Sequence, residues 1–492
     1  MKDYSWPHIP QPESCNILTS ETNSLFTIHH HQYISTYSVT FNSLFILIGK
    51  QFLNFMKKRL LSAAAVAFFG LMLNAQQIKF EEYDLPNGLH VILHQDNSAP
   101  VVTTGVMYHV GAKDEVKGRT GFAHFFEHLL FEGTPNIQRG TWMKIVAANG
   151  GINNANTTND RTYYYETFPS NNEQLGLWME AERMRHAVIN QIGVDTQREV
   201  VKEEKRLNMD NRPYGNLFTA ILNNLFINHP YKWPTIGSME DLNAAKLEEF
   251  QAFYKKYYVP NNATLVVAGD IKPEQTKKWI ETYYGGIPKG TVYPKDFPKE
   301  TPITQEKEVT ATDPNIQLPA YVFAYRTPAN KEKDAYVLDM LSSYLSNGKS
   351  SVLYKKLVDQ DKKALQVAAF NQGLEDYSIF AFFAIPMGQT TKQVLQADID
   401  AEIKKLQTTL ISEEDYQKLQ NQYENQFVNA NSSIQGIAAS LATNHVLMGD
   451  TNLINKEIDI YRSITRQDLQ NAAKKYLNSN QRIIINYVPE KK

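Results

Sequence analysis

From about residue 80 onward, apolar and polar positions run in short segments punctuated by turn residues, and the period switches repeatedly between two and roughly 3.6. Residues 80–110 read as two or three strands: the turn Pro86-Asn87-Gly88 leads into Leu89–His94, and Val101–Val110 follows. The next segment, GFAHFFEHLLFEGT from Gly121 to Thr134, has helical spacing. The Asn-, Thr- and Tyr-rich run Asn153–Phe168 has the composition of an edge strand, and Glu173–Val188 and Thr196–Leu207 read as helices. A turn and strand at Asn261–Gly269 precede a helix at Pro273–Tyr284.

The periodicity then stops. Prolines and charges from Gly285 to Pro319 oppose a regular helix and predict a linker over 287–318. Beyond it the plan repeats: ITRQDLQNAAKKYLNSNQRIIINYV near the carboxyl end echoes KLEEFQAFYKKYYVPNNATLVVAGDI, each a helix, an aromatic-containing turn and a strand. The pattern predicts an α+β chain of two related domains, 76–286 and 319–492.

The amino-terminal segment reads differently. MKKRLLSAAAVAFFGLMLNAQQ, starting at Met56, has a basic start (Lys57, Lys58, Arg59), an apolar run from Leu60 to Leu73, and Ala75 just before Gln76, the pattern of a secretory signal peptide over 56–75. Its apolar run falls short of the roughly 20 residues that span a bilayer, so cleavage, export to the periplasm and no stable membrane anchor are expected. Residues 1–55 then precede a complete signal peptide and read as a leader from a misassigned start, with the run His29, His30, His31 as noise.

Composition narrows the function classes. The 492 residues are 42% hydrophobic with net charge -2, enough apolar content for two cores and no basic excess for tracking nucleic acid. The one cysteine, Cys15, lies in the leader, which excludes a thiol nucleophile or thiolate metal site in the mature chain. No Gly-x-Ser-x-Gly elbow is present.

Metal chemistry is what the residues favour. On a helix, His124, Glu127 and His128 share one face, while Phe125 and Phe126 point elsewhere. Two imidazoles one turn apart can hold a zinc ion, which in catalytic sites takes three protein ligands and leaves a fourth position open to water. The order His-x-x-Glu-His is the inverzincin pattern, and it still requires a third ligand.

Around this motif, Tyr83–Thr134 resembles the pitrilysin family of metallopeptidases, as do Gly150–Tyr164, Arg198–Glu204 and His229–Ile271. The resemblance implies two similar domains of the mitochondrial-processing-peptidase type, each a mixed sheet flanked by helices, facing each other as half of a clamshell with a substrate cleft between them. It implies one zinc ion per chain, held by His124, His128 and a glutamate some 75 residues further on. Glu204, 76 positions after His128 (204 − 128), fills that place, with Glu203 the rival. Glu127 becomes the general base and then the acid of peptide hydrolysis. Asn154 and Ala155 match the family's substrate-pairing strand, although Asn154 also suits an ordinary turn. Gln197 stands where the family often has a second glutamate, and is expected to orient a ligand by hydrogen bonding.

One departure matters. Members of the family commonly receive an arginine and a tyrosine from the second domain. Here those positions fall on Val352 and Leu365. The resemblance then implies the metal-bearing subunit of a heterodimer, whose related partner supplies the Arg/Tyr pair. The alternatives are a homodimer or monomer using another donor such as Tyr354, and a non-catalytic peptide-binding or structural subunit.

Overall fold

The computed structural model describes residues 77–291 and 293–491, so the expected leader (1–55) and the expected signal peptide (56–75) lie outside the described residues. The first domain runs β1 (Glu81–Asp84), β2 (His90–Gln95), β3 (Val101–Tyr108), α1 (Phe122–Leu129), α2 (Trp142–Ala148), β4 (Ile152–Thr157), β5 (Thr162–Pro169), α3 (Glu173–His186), α4 (Gln191–Lys205), α5 (Leu217–Leu225), α6 (Met239–Ala244), α7 (Leu247–Tyr257), β6 (Ala263–Gly269) and α8 (Pro273–Tyr284). The second runs β7 (Lys307–Asp313), β8 (Ala320–Thr327), α9 (Lys333–Ser346), β9 (Ala364–Gln372), β10 (Ser378–Pro386), α10 (Lys392–Thr408), α11 (Glu413–Ala430), α12 (Ile434–Thr443), α13 (Leu453–Ser463), α14 (Arg466–Tyr476) and β11 (Arg482–Pro489).

Each domain is a mixed sheet with flanking helices, and the two sheets have the same topology. The first has order β1-β2-β6-β3-β5-β4 and the second β7-β11-β8-β10-β9. In each, one parallel pair (β2 with β6, β7 with β11) continues into antiparallel neighbours. Superimposing the orders matches β6 with β11, β3 with β8 and the outer strands β4 with β9, leaving β1 as an addition. The echoed segments read from the sequence are therefore α7-β6 and α14-β11.

Central strands are apolar on both faces because both faces are covered. On the first sheet, Val91, Leu93, Val106 and Val267 pack against Phe125, Phe126 and Phe250 of α1 and α7. The opposite face, Ile92, Met107, Val266 and Ala268, is covered by Ile437, Ala438, Leu441 and Ala442 of α12, a helix of the second domain. The exchange is reciprocal: Ile221, Leu222 and Leu225 of α5 cover Val322, Ala324, Ile379 and Ile485 of the second sheet. Buried charge reinforces this seam. Lys113, 1% exposed, pairs with Asp160 at 3.0 Å and with Glu375 and Asp376 of the second domain at 2.6 and 2.9 Å.

Three sequence expectations change here. The linker 287–318 contains strand β7, whose alternating KEVTATD reads as polar because only β11 pairs with it. The run Asn153–Phe168 is a hairpin of two strands rather than one, since Asn159 and Asp160 turn the chain. The helix expected at Thr196 begins at Gln191, capped by Asn190 Oδ1, which accepts the Gly193 N–H at 2.9 Å.

Candidate metal centre

Helix α1 is held from three directions. Its apolar face wedges Phe122, Phe125 and Phe126 against Phe250, with centroid distances of 4.5, 4.5 and 5.9 Å. Its first turn is capped from a distance: the buried Glu115 carboxylate accepts the Gly121 and Ala123 N–H groups at 2.8 and 2.9 Å. The Glu115 oxygens satisfy N–H groups that have no partner within the helix, while burial raises the Glu115 pKa well above the ordinary carboxylate range. Gly121 (φ 89°) also lies against the Ile236–Gly237 backbone, and a Cβ there would sit 2.6 Å from the Ile236 carbonyl oxygen. At the other end, Arg183 Nη1 donates to the Leu130 carbonyl at 2.8 Å from inside a cage of Phe131, Trp142 and Tyr164.

This fixed helix meets α4. Glu204 Oε2 lies 3.2 Å from His128 Nε2 and 3.6 Å from His124 Nε2, and the three ligand atoms are all within 4.8 Å of one another. Glu203 instead faces Arg206 Nη1 at 3.0 Å and is exposed. Neighbouring ligands of a tetrahedral zinc with bonds of about 2.0–2.1 Å are separated by roughly 3.3 Å, so two nitrogens and one carboxylate oxygen at these spacings fit that ion. Burial, together with the nearby His128, pushes His124 down to about 4, which keeps its ring neutral and able to donate a lone pair. The hydrogen bond to His128 holds Glu204 below the ordinary carboxylate range, against the opposing effect of its partial burial.

Glu127 comes off the same face. Burial raises its pKa, opposed by a hydrogen bond from Thr157 Oγ1 at 2.7 Å. Thr157 is the last residue of β4, the outermost strand of the first sheet, so the motif glutamate touches the end of an edge strand. Asn154 and Ala155 lie three and two residues earlier on that strand, Asn154 exposed and Ala155 buried. Asn154 Oδ1 accepts the Ala155 N–H at 2.9 Å.

Gln197 is a correction. Its amide donates to Glu132 at 2.5 Å rather than to a ligand. Seven residues before Glu204 is about 10 Å along the helix axis, which puts it level with the chain leaving α1 instead of the imidazoles. The sequence reading also passed over Thr157 and Glu115. Thr157 lay inside the run expected to pair with substrate, where its hydroxyl had no distinguishing mark. Glu115 precedes α1 by too many residues to be seen as a cap. In the second domain, Val352 is half-buried and Leu365 is 51% exposed on β9, the counterpart of β4.

Two family profiles match: residues 90–238 fit the one described as Insulinase (Peptidase family M16), and 244–423 the one described as Peptidase M16 inactive domain. Zinc protease PqqE of Helicobacter pylori is 31% identical over 438 residues, covering 87% of this chain and 98% of that protein. The chain belongs to peptidase family M16. Among solved M16-like structures, a protease from Helicobacter pylori superposes with a TM-score of 0.78 at 29% identity, over 83% of this chain and 99% of the other. The first half of the periplasmic protease PqqL from Escherichia coli gives a TM-score of 0.68 at 19% identity, over 84% and 92%. This is the pitrilysin-type fold that the motif-bearing segments resembled.

Proposed function

We propose that the chain is an exported zinc-dependent endopeptidase that hydrolyses unstructured peptides. The observation that carries this reading is the convergence of His124, His128 and Glu204 beside a buried Glu127 at the end of an edge strand. Zinc protease relatives support it.

In this reading His124, His128 and Glu204 would hold the ion, which would supply Lewis acidity and lower the pKa of a water toward neutrality. A peptide adds to the outer edge of β4 by backbone hydrogen bonds at Asn154 and Ala155, which favours extended, unfolded substrates over folded ones. Glu127 then takes the proton of the attacking water on its free carboxylate oxygen and delivers it to the departing amine nitrogen. Thr157 orients the other oxygen.

Val352 and Leu365 have no side-chain donors for a developing oxyanion. A related subunit that supplies an arginine and a tyrosine completes the site, and this chain is the metal-bearing half of that pair. The match of this chain's fold to the first half of PqqL supports a two-unit assembly, with a homodimer as the alternative. The signal-like segment 56–75 supports periplasmic residence. Among the described residues no helix is long and apolar enough to cross a membrane. The inactive-domain profile over 244–423 favours a second reading, a peptide-binding subunit that does not cut.

The test is hydrolysis of a pool of unstructured peptides by the zinc-loaded chain from Gln76 onward, beside Glu127→Gln. Cleavage by the wild type that the variant loses supports a self-sufficient peptidase. An inert wild type that regains activity with a related subunit supports the heterodimer. Peptide binding unchanged by the substitution and without cleavage in either setting selects the binding subunit.

A further inference from the structure

Helix exchange creates a second group of metal-ligating side chains, on elements separate from the first. His445 follows α12, the second-domain helix that lies on the first sheet, and it reaches His90 on β2, 355 positions away (445 − 90). The two rings stack with centroids 3.5 Å apart and planes 5° apart. Glu82, on β1, completes the group: one ligand atom from each of Glu82, His90 and His445 lies within 4.8 Å of the others.

We propose that Glu82, His90 and His445 form a second divalent-metal site, joining the two domains, with zinc the ion their nitrogen and oxygen donors suit. The hydrogen bonds around the group assign its lone pairs. His90 Nδ1 donates to Asp84 Oδ1 at 2.8 Å, and Nε2 faces Glu82 Oε2 at 3.3 Å, where either a proton or a bound cation must stand between nitrogen and oxygen. Thr451 Oγ1 gives its hydrogen to Glu82 at 2.6 Å and so accepts from His445 Nδ1 at 3.3 Å, leaving the other ring nitrogen of His445 unprotonated. A carboxylate fixing the far nitrogen of His90 is the arrangement that surrounds metal-bound histidines.

The spacing and the charge agree with this assignment. The 3.3 Å between His90 Nε2 and Glu82 Oε2 equals a zinc ligand–ligand edge and lies between the two such distances at Glu204. Among the described residues, the ion pairs of Glu82 and Asp84 are made with His90, so two carboxylates share at most one imidazolium charge. A divalent cation balances them. Parallel rings cannot both point their lone pairs at one ion, so binding requires His445 to turn out of the stack about its Cβ–Cγ bond, which exchanges its contact with Thr451 for the ion. The same groups arranged around a proton are the competing state, and the experiment separates the two.

Zinc bound per chain is measured by elemental mass spectrometry after loading with zinc and gel filtration, in the wild type, in His445→Ala, and in Glu82→Gln. Glu82 is exposed, so its variant keeps the test readable if loss of His445 disturbs the seam. The expected result is two ions per chain in the wild type, one in each variant, and one in His124→Ala, where the remaining ion belongs to the seam. Histidine side-chain resonances of His90 and His445 shift on zinc addition to His124→Ala. One ion in the wild type and none in His124→Ala overturns the proposal and assigns the stack to a shared proton. Two ions in both seam variants overturns it as well.

Discussion

The two domains share a strand order and exchange equivalent helices, yet they differ in what joins β3 to β4 in the first and β8 to β9 in the second. In the first domain that interval holds α1, with two imidazoles and Glu127 on one face and phenylalanines on the other. In the second it holds α9, where Ala335, Val337, Leu338, Met340, Leu341 and Leu345 are all buried, and a single carboxylate, Asp339, sits among them. The outer strands diverge with them: β4 ends at the hydroxyl that binds Glu127, and β9 exposes Leu365. The fold is thus maintained by which faces are apolar, a requirement many residues meet jointly. The candidate metal centre rests on a few polar positions of α1 and α4, and such positions can be present or absent without altering the topology.

The contrast between the domains is sharpest at Glu127. Glu127→Gln should lower peptide hydrolysis by about 10²–10⁴-fold with zinc content unchanged, measured as kcat alongside metal analysis. Retained activity would assign the proton transfer elsewhere.

The exchange of helices makes the next largest prediction. Leu441→Ala on α12 and Leu225→Ala on α5 each remove a fully buried side chain and should cost about 2–5 kcal/mol in denaturant unfolding. Their signature is reciprocal. Hydrogen exchange should accelerate in β2, β3 and β6 for Leu441→Ala and in β8, β10 and β11 for Leu225→Ala. Loosening confined to the helix's own domain would contradict interlocked packing.

Asp339 tests the difference between α1 and α9. Burial raises its pKa from 3.8 to about 6, although Asn371 and Tyr461 donate to it. Between those values the folded chain holds a proton that the unfolded chain has released, so this group's effect is to reduce stability as pH rises from about 4 to 6. At about 1.4 kcal/mol per pH unit the penalty is about 3 kcal/mol above pH 6. Asp339→Asn should therefore stabilise the protein at pH 8 by about 1–2 kcal/mol, after the loss of a charged acceptor, and give no gain at pH 4. Equal effects at both pH values would remove the buried charge as the cause.

The smallest effect is expected at Thr157. Thr157→Val should lower kcat about tenfold, in line with a hydrogen bond to a charged group worth about 1.5 kcal/mol, while Thr157→Ser keeps most of the activity. Equal losses in the two variants would indicate a packing role for the side chain.

Much of this was legible one residue at a time. Spacing along a helix is a local property, so His124, Glu127 and His128 were placed on one face by their order alone, and the repeated helix-turn-strand near each domain's end disclosed a duplicated plan. The strand β7 was lost because an edge strand with one partner needs no apolar run.

The remainder is settled where distant segments meet. The choice of which glutamate, 203 or 204, faces the imidazoles depends on the rotation of α4 against α1. The partner of Gln197, the capping of α1 by Glu115, and the exchange of α5 and α12 likewise depend on packing. An apolar face on a helix states that it will be covered and carries no record of which sheet will cover it. For that reason the local motif and the duplicated plan can be read from residue order, while the contact of His90 with His445 exists only because the chain crosses from one sheet to the other before it closes.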